Sequence, residues 1–181
     1  MIAGAMKPGN ELELTGCDPE QLGNFPELLR ETGASVSIEG DVITLKAPDV
    51  LKPVSITTDI YPGFPTDLQA QWATMLTQAE GSSSVTDTVY YDRFSYVPEL
   101  SRLGAKMHVD KNTVHISGKT MLTGASVMST DLRASVSLVM AAMVAEKTTE
   151  VLRIYHLDRG YESLEDKLNG VGAKIKRADD Q

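Results

Sequence analysis

Short runs of alternating apolar and polar residues, each followed by a stretch of helical spacing, recur along this chain in one order. ELEL at residues 11–14 has the two-residue alternation of a strand. Asp18-Pro19-Glu20-Gln21 then carries the marks of a helix start: an acid at the N-cap, proline at N1 and Gln at N3. Gly23 and Pro26 interrupt that helix, which is expected to end at Gly33. SVSIEGDVITLKA, residues 35–47, alternates as two short strands around Gly40-Asp41.

The order then comes round again. VSITTDI (54–60) reads as a strand and YPGFP (61–65) as a rigid turn, since two prolines fix φ there. Thr66-x-x-Gln69 is a capping-box pattern that opens a helix to about residue 80, stopped by Gly81. SSVTDTVYY (83–91) is a strand, 97–103 a helix closed by Gly104, and 105–118 a hairpin. In the third round a strand is expected near 125–128 and a helix from 130 to about 146. A strand at 149–155, a helix at 161–169 and a strand at 172–177 follow. The helices carry long apolar faces, as at Leu132, Val136, Leu138, Val139 and Val144, which predict burial against other elements. Helices packed together under an outer layer of sheets would cover every such face.

The recurrence extends to individual residues. Thr-Asp-Leu, Ala-Glu, Asp-Arg and Gly-Ala-Lys occur in that order in residues 66–107 and again in 130–175. Thr66 and Thr130 are 64 apart, Arg93 and Arg159 are 66 apart, and Gly104 and Gly172 are 68 apart. PELLRETGA (26–34) is a fainter echo of PELSRLGA (98–105). Such a period exceeds the roughly 20–50 residues of a solenoid repeat. It predicts one α/β domain of three βαβαββ-type units, at about 1–47, 48–118 and 119–181. MIAGAM reads as the tail of an apolar helix and the third unit lacks a last strand, so both ends are expected to be cut. The unfinished strand at 173–176 would then offer an open edge through which chains could associate.

Composition narrows the partners. A net charge of −8 argues against nucleic acid, which usually demands a basic face. A small anion remains admissible, because charges beyond about 8–10 Å are screened and a few local arginines can outweigh distant acids. With 41% hydrophobic residues and no apolar run near the roughly 20 of a membrane span, a soluble domain is expected. The single Cys17 excludes an internal disulfide and a cysteine cluster, and His108, His115 and His156 lack ligand spacing. With no secretory pattern at the start, the expected compartment is the cytoplasm.

The candidate chemistry lies in the repeated polar residues. Asp67 follows the stiff YPGFP turn, and Asp131 holds the same place in the next copy. An acid there serves a helix dipole, worth about 0.3–1 kcal/mol, or acts as a rigidly held general base. Arg93 and Arg159 each follow an aspartate just beyond a strand, and Arg133 lies two residues after Asp131. They form surface pairs with their neighbouring acids or, if the units pack pseudo-symmetrically, converge on an anion. Guanidinium forks suit a ligand bearing carboxylate and phosphate.

YPGFPTDLQAQ, DRFSYVPELSRLGA, STDLRAS and RIYHLDRGYE resemble, in order and spacing, the UDP-N-acetylglucosamine enolpyruvyl transferase family. The likeness covers nearly the whole chain. It implies an inside-out α/β barrel domain, helices within and sheets outside. It implies transfer of the enolpyruvyl group of phosphoenolpyruvate to the 3-hydroxyl of UDP-N-acetylglucosamine, in peptidoglycan synthesis and without a redox cofactor. By motif, Asp67 corresponds to the carboxylate that holds and deprotonates the sugar hydroxyl, and Val89 to a sugar-nucleotide contact. Arg93, Asp131 and Arg133 correspond to polar residues of the cleft, and Arg159 to a ligand of phosphoenolpyruvate. The family's other domain carries a Lys-Asn pair, a mobile loop with a Cys or Asp acid, and a further Arg. None of these motifs is present, and Cys17, in TGCDPE, lies outside any such loop. The chain therefore resembles a C-terminal portion that supplies one wall of the site and needs the missing N-terminal domain as partner. The alternatives are the sister family of 5-enolpyruvylshikimate-3-phosphate synthases and a non-catalytic binding module. YPGFPTDLQAQ and IYHLDRGYE favour the UDP-sugar branch.

Overall fold

A computed structural model describes residues 1–178. The first unit comprises α1 (Ile2–Ala5), β1 (Glu11–Leu14), a 3-10 turn at Pro19–Leu22, α2 (Phe25–Glu31), β2 (Ser35–Glu39) and β3 (Val42–Lys46). β3 lies between β1 and β2 in an antiparallel sheet, with Leu45 opposite both Leu12 and Val36. Asp18 caps the 3-10 turn as expected, accepting from the Glu20 amide at 3.3 Å and from Gln21 Nε2 at 2.8 Å.

The second unit comprises β4 (Ile56–Thr57), a 3-10 turn at Thr66–Leu68, α3 (Gln69–Leu76), β5 (Ser83–Thr86), α4 (Tyr96–Arg102), β6 (Met107–Asp110) and β7 (Thr113–Ile116). The third has β8 (Ser126–Met128), α5 (Leu132–Val144), β9 (Glu150–Leu152), α6 (Tyr155–Asp158) and α7 (Leu164–Gly170). The repeat is therefore structural. β4 and β5 are parallel with α3 as their crossover, and β8 and β9 are parallel with α5 as theirs. β7 and β6 complete the second sheet in the order β4-β5-β7-β6.

α3 packs against both α1 and α5, and every one of its residues is buried, so it occupies the centre. Sheets flank these helices: β5 and β7 lie against α3, β3 against α1 and β9 against α5. Trp72 on α3 is fully buried between Phe25 and Phe64, whose ring centroids lie 6.2 and 5.1 Å away. Its indole N–H donates to the Val54 carbonyl at 3.2 Å, so the large ring is buried without an orphaned donor.

Several expectations are corrected. Thr66 does not cap a helix; its hydroxyl turns to Asp87, and the α-helix starts at Gln69 and stops at Leu76. The strand expected over 83–91 ends at Thr86, because the Asp87 carboxylate takes the amides of Val89 and Tyr90 and curls the chain into a turn. The strand expected at 149–155 is β9 alone, and α6 begins at Tyr155. No strand forms at 172–177. There the Asn169 side chain bonds both the N–H and the C=O of Ile175, at 2.9 and 2.7 Å, taking groups that a neighbouring strand would need. The open edge expected at 173–176 is therefore absent.

Candidate functional site

The stiff turn before Asp67 is clamped to the first unit. Asn24 donates to the Pro62 carbonyl at 2.9 Å, and the Tyr61 hydroxyl donates to the Glu20 carbonyl at 2.7 Å. Gly23, at φ +55°, sits so close to Pro62 that a Cβ would collide with that carbonyl oxygen. The chain thus reaches Asp67 in a fixed direction.

Asp67 meets residues from both later motifs. Its Oδ1 accepts Arg93 Nη1 at 2.8 Å and Arg133 Nε at 2.6 Å. Burial pushes its carboxyl pKa up, but the hydrogen bond and charge of Arg133, with those of Arg93, outweigh this and hold it below the usual carboxylate range. Arg93 also donates to the Thr66 hydroxyl at 3.1 Å, and its guanidinium lies 4.5 Å from the centroid of the Tyr90 ring. Gln69 Nε2, at the start of α3, holds the Arg93 carbonyl at 3.1 Å.

Asp131 does what Asp67 does not. One of its oxygens caps α5, accepting the amides of Arg133 at 2.8 Å and Ala134 at 3.2 Å, while the other accepts Ser95 Oγ at 3.0 Å. Two copies of one motif have therefore diverged: Asp131 serves the helix start, and Asp67 faces two guanidiniums. The pairs expected within Asp92-Arg93 and Asp158-Arg159 also do not form. Arg93 turns to Asp67, and Asp158 is held by both terminal nitrogens of Arg177, at 2.7 and 2.9 Å.

Tyr90, Asp92, Arg93, Ser95, Asp131 and Arg133 line a cleft of about 190 Å³. Ligand pockets typically span about 300–1,000 Å³, so this cleft is smaller than a site that would enclose a whole nucleotide sugar. Beside it, the Gln71 amide reaches the Tyr161 hydroxyl at 3.5 Å. Burial, and next the Gln71 bond and the charges of Arg133 and Asp67, act on that phenol, with burial prevailing and its pKa raised.

Of the residues singled out in the sequence, Asp67, Arg93, Asp131 and Arg133 are brought together. Val89 is exposed on the adjoining loop, its amide held at 3.0 Å by Asp87. Arg159 is not joined to them. It is exposed at the end of α6 and has no ion pair among the described residues, although its neighbour Gly160 abuts Leu132 at the start of α5. Sequence reasoning missed Asp87, Thr66 and Ser95. Asp87 had a legible signal: Ser83, Val85 and Asp87 form one inward-facing alternation, and a charged residue in that series calls for a purpose. Among the described residues no cluster of His, Cys, Asp and Glu could hold a metal, and no helix is long and apolar enough to cross a membrane.

Duplicated βαβ units thus bring two guanidiniums, Arg93 and Arg133, among the carboxylates of Asp67, Asp92 and Asp131 on one α/β fold. The fold superimposes on the enolpyruvyl transferase NikO from Streptomyces tendae with a TM-score of 0.87 and 30% identity, over 97% of this chain and 42% of that one. A structure of EPSP synthase from Acinetobacter baumannii matches with a TM-score of 0.71 at 18% identity, a likeness of fold. The chain belongs to the EPSP synthase (3-phosphoshikimate 1-carboxyvinyltransferase) family, whose model matches residues 1–168. Among named relatives, it is 51% identical over 177 residues to the UDP-N-acetylglucosamine 1-carboxyvinyltransferase of Chlorobium phaeovibrioides, and 48% identical to that of Prosthecochloris aestuarii. Each alignment covers 98% of this chain and 42% of the relative, so the chain spans about two fifths of their length.

Proposed function

We propose that this chain forms one wall of the cleft in which the enolpyruvyl group of phosphoenolpyruvate passes to the 3-hydroxyl of UDP-N-acetylglucosamine, a cytoplasmic step of peptidoglycan synthesis. The observation that carries the reading is the convergence of Arg93 and Arg133 on Asp67, from motifs 26 and 66 residues away. The identity with UDP-N-acetylglucosamine 1-carboxyvinyltransferases supports the choice of substrates.

In the transfer, the sugar oxygen bonds to the phosphate-bearing carbon, the bond from that carbon to phosphate breaks, and the hydroxyl proton must leave. Asp67 holds the sugar hydroxyl and accepts that proton. Two guanidiniums hold the Asp67 carboxyl below the usual carboxylate range and so keep it ionised and weakly basic. An arriving phosphate or carboxylate competes for the same guanidinium forks, and Asp67, relieved of its partners, becomes the stronger base. In this reading Val89 contacts the sugar nucleotide, and Arg159 takes an anionic group of phosphoenolpyruvate. The second wall is supplied by a domain like the part of the relatives that this chain does not cover, and turnover depends on it.

Calorimetric titration of the chain with UDP-N-acetylglucosamine and with shikimate 3-phosphate tests the reading. Saturable binding of the first alone is expected. Preference for the second would move the chain to the sister branch, and binding of neither would leave a module without a sugar-phosphate ligand.

A further inference from the structure

Asp87 is fully buried, yet no cation is among its hydrogen-bond partners. Four donors hold it instead. Oδ1 accepts Thr58 Oγ1 at 2.7 Å, the Val89 amide at 3.0 Å and the Tyr90 amide at 2.8 Å, while Oδ2 accepts Thr66 Oγ1 at 2.6 Å. Its backbone is fixed as well, since its N–H and C=O pair with the carbonyl and side-chain amide of Asn112 at 2.8 and 2.9 Å. Burying a carboxylate is costly unless its oxygens are satisfied. A neutral side chain would cap the same turn at lower cost, and an ion makes bonds roughly twice as strong.

The two oxygens hold two different segments beside the cleft. Oδ1 organises the loop of Val89 and Tyr90, which leads to Arg93. Oδ2 fixes Thr66, the residue before Asp67. Because Asp87 can only accept, the Thr66 proton must point at it, which turns the Thr66 lone pairs outward, and Arg93 Nη1 uses one at 3.1 Å. The same Nη1 reaches Asp67 at 2.8 Å. We propose that Asp87 is the positioning residue of this cleft, locking the loop that carries Val89, Tyr90 and Arg93 to the Thr66–Asp67 turn so that Arg93 meets Asp67 in one geometry. For its ligand arm alone, the inference rests on the sugar-nucleotide reading above.

The test uses the 181-residue chain and two variants, Asp87→Asn and Thr66→Val. Three quantities are read: the melting temperature, the ¹³C titration of the Asp67 carboxyl by NMR, and calorimetric affinity for UDP-N-acetylglucosamine. Thr66→Val leaves all three bonds to Oδ1, so the Val89 and Tyr90 amide resonances should stay in place. The Asp67 carboxyl should nevertheless titrate at higher pH, because Arg93 loses its guide. Asp87→Asn turns an amide N–H toward Thr66, whose proton has no other acceptor among the described residues. It should shift both amides, raise the Asp67 titration and weaken UDP-N-acetylglucosamine binding about ten-fold, the scale of one bond to a charged group.

A lowered melting temperature with an unmoved Asp67 titration and unchanged affinity would reduce Asp87 to a fold residue and overturn the proposal. If Asp87→Asn does not fold, Thr66→Val decides alone, and an unmoved Asp67 titration in it is fatal. Should the unmodified chain fail to bind UDP-N-acetylglucosamine, the sugar-nucleotide reading falls, while the Asp67 titration still decides the role of Asp87.

Discussion

Arg133 Nε lies 2.6 Å from Asp67 Oδ1, although 66 residues separate them. Asp67 belongs to one copy of the Thr-Asp-Leu motif, and Arg133 directly follows the other. The fold brings the starts of α3 and α5 near each other, and the cleft uses the side chains that meet there. The consequences can be measured.

In a full-length protein containing this segment, Asp67→Asn should lower turnover about 10²–10⁴-fold, the usual loss for a general base. Sugar-nucleotide affinity should change little, since the amide still hydrogen-bonds. Steady-state kinetics decides: near-normal turnover would return Asp67 to a purely electrostatic role.

Asp131→Ala should cost about 0.5–2 kcal/mol of stability, because it removes the acceptor for two amides at the start of α5. Urea unfolding measures this. Arg133 should also lose its orientation, so affinity for inorganic phosphate should fall along with stability.

Acid should unfold the chain through identifiable groups. For both Asp67 and Asp87, burial raises the pKa, and the arginine contacts of Asp67 and the four donors of Asp87 more than reverse it. Their folded pKa values lie below the unfolded value of about 3.9, so they stabilise the fold above that pH and cease to do so as pH falls below it. Tyr96 works at the other end. Burial, then the Asp87 charge, raises its pKa, so its contribution should disappear as pH climbs beyond the unfolded value of about 10. Through these groups the melting temperature should drop on both flanks, below pH about 3.9 and above about 10.

Arg177→Ala should free the segment after α7 with little thermodynamic effect, at most about 1 kcal/mol, since the ion pairs to Asp158 and Glu165 are solvent-accessible. Faster amide exchange confined to α6 and α7 is the expected signature. Protection lost across α3 would contradict it.

The isolated chain should show no enolpyruvyl transfer. Positioning two reactants can supply roughly 7–11 kcal/mol of barrier lowering, and one wall cannot enclose them. A coupled phosphate-release assay with both substrates checks this.

The repeat, the mixed α/β class and the positions of Asp67, Arg93, Asp131 and Arg133 were legible in the residues, because period and motif order are one-dimensional properties. β2, β3, β6 and β7 fell where alternation placed them, since each is paired to its sequence neighbour. Boundaries failed where a side chain from elsewhere intervened. Asp87 ended β5 early, and Asn169 occupied the main chain of Ile175.

Partner choice was also beyond the sequence. Asp92-Arg93 and Asp158-Arg159 are adjacent in the chain, yet Arg93 went to Asp67 and Asp158 to Arg177. The sequence by itself determined which residue types recur, and therefore that acids and arginines exist in matched copies. Only the tertiary structure decided that Asp131 caps a helix while Asp67 faces two guanidiniums. A carboxylate goes to the donors nearest in space, and those are set by how α3 and α5 pack.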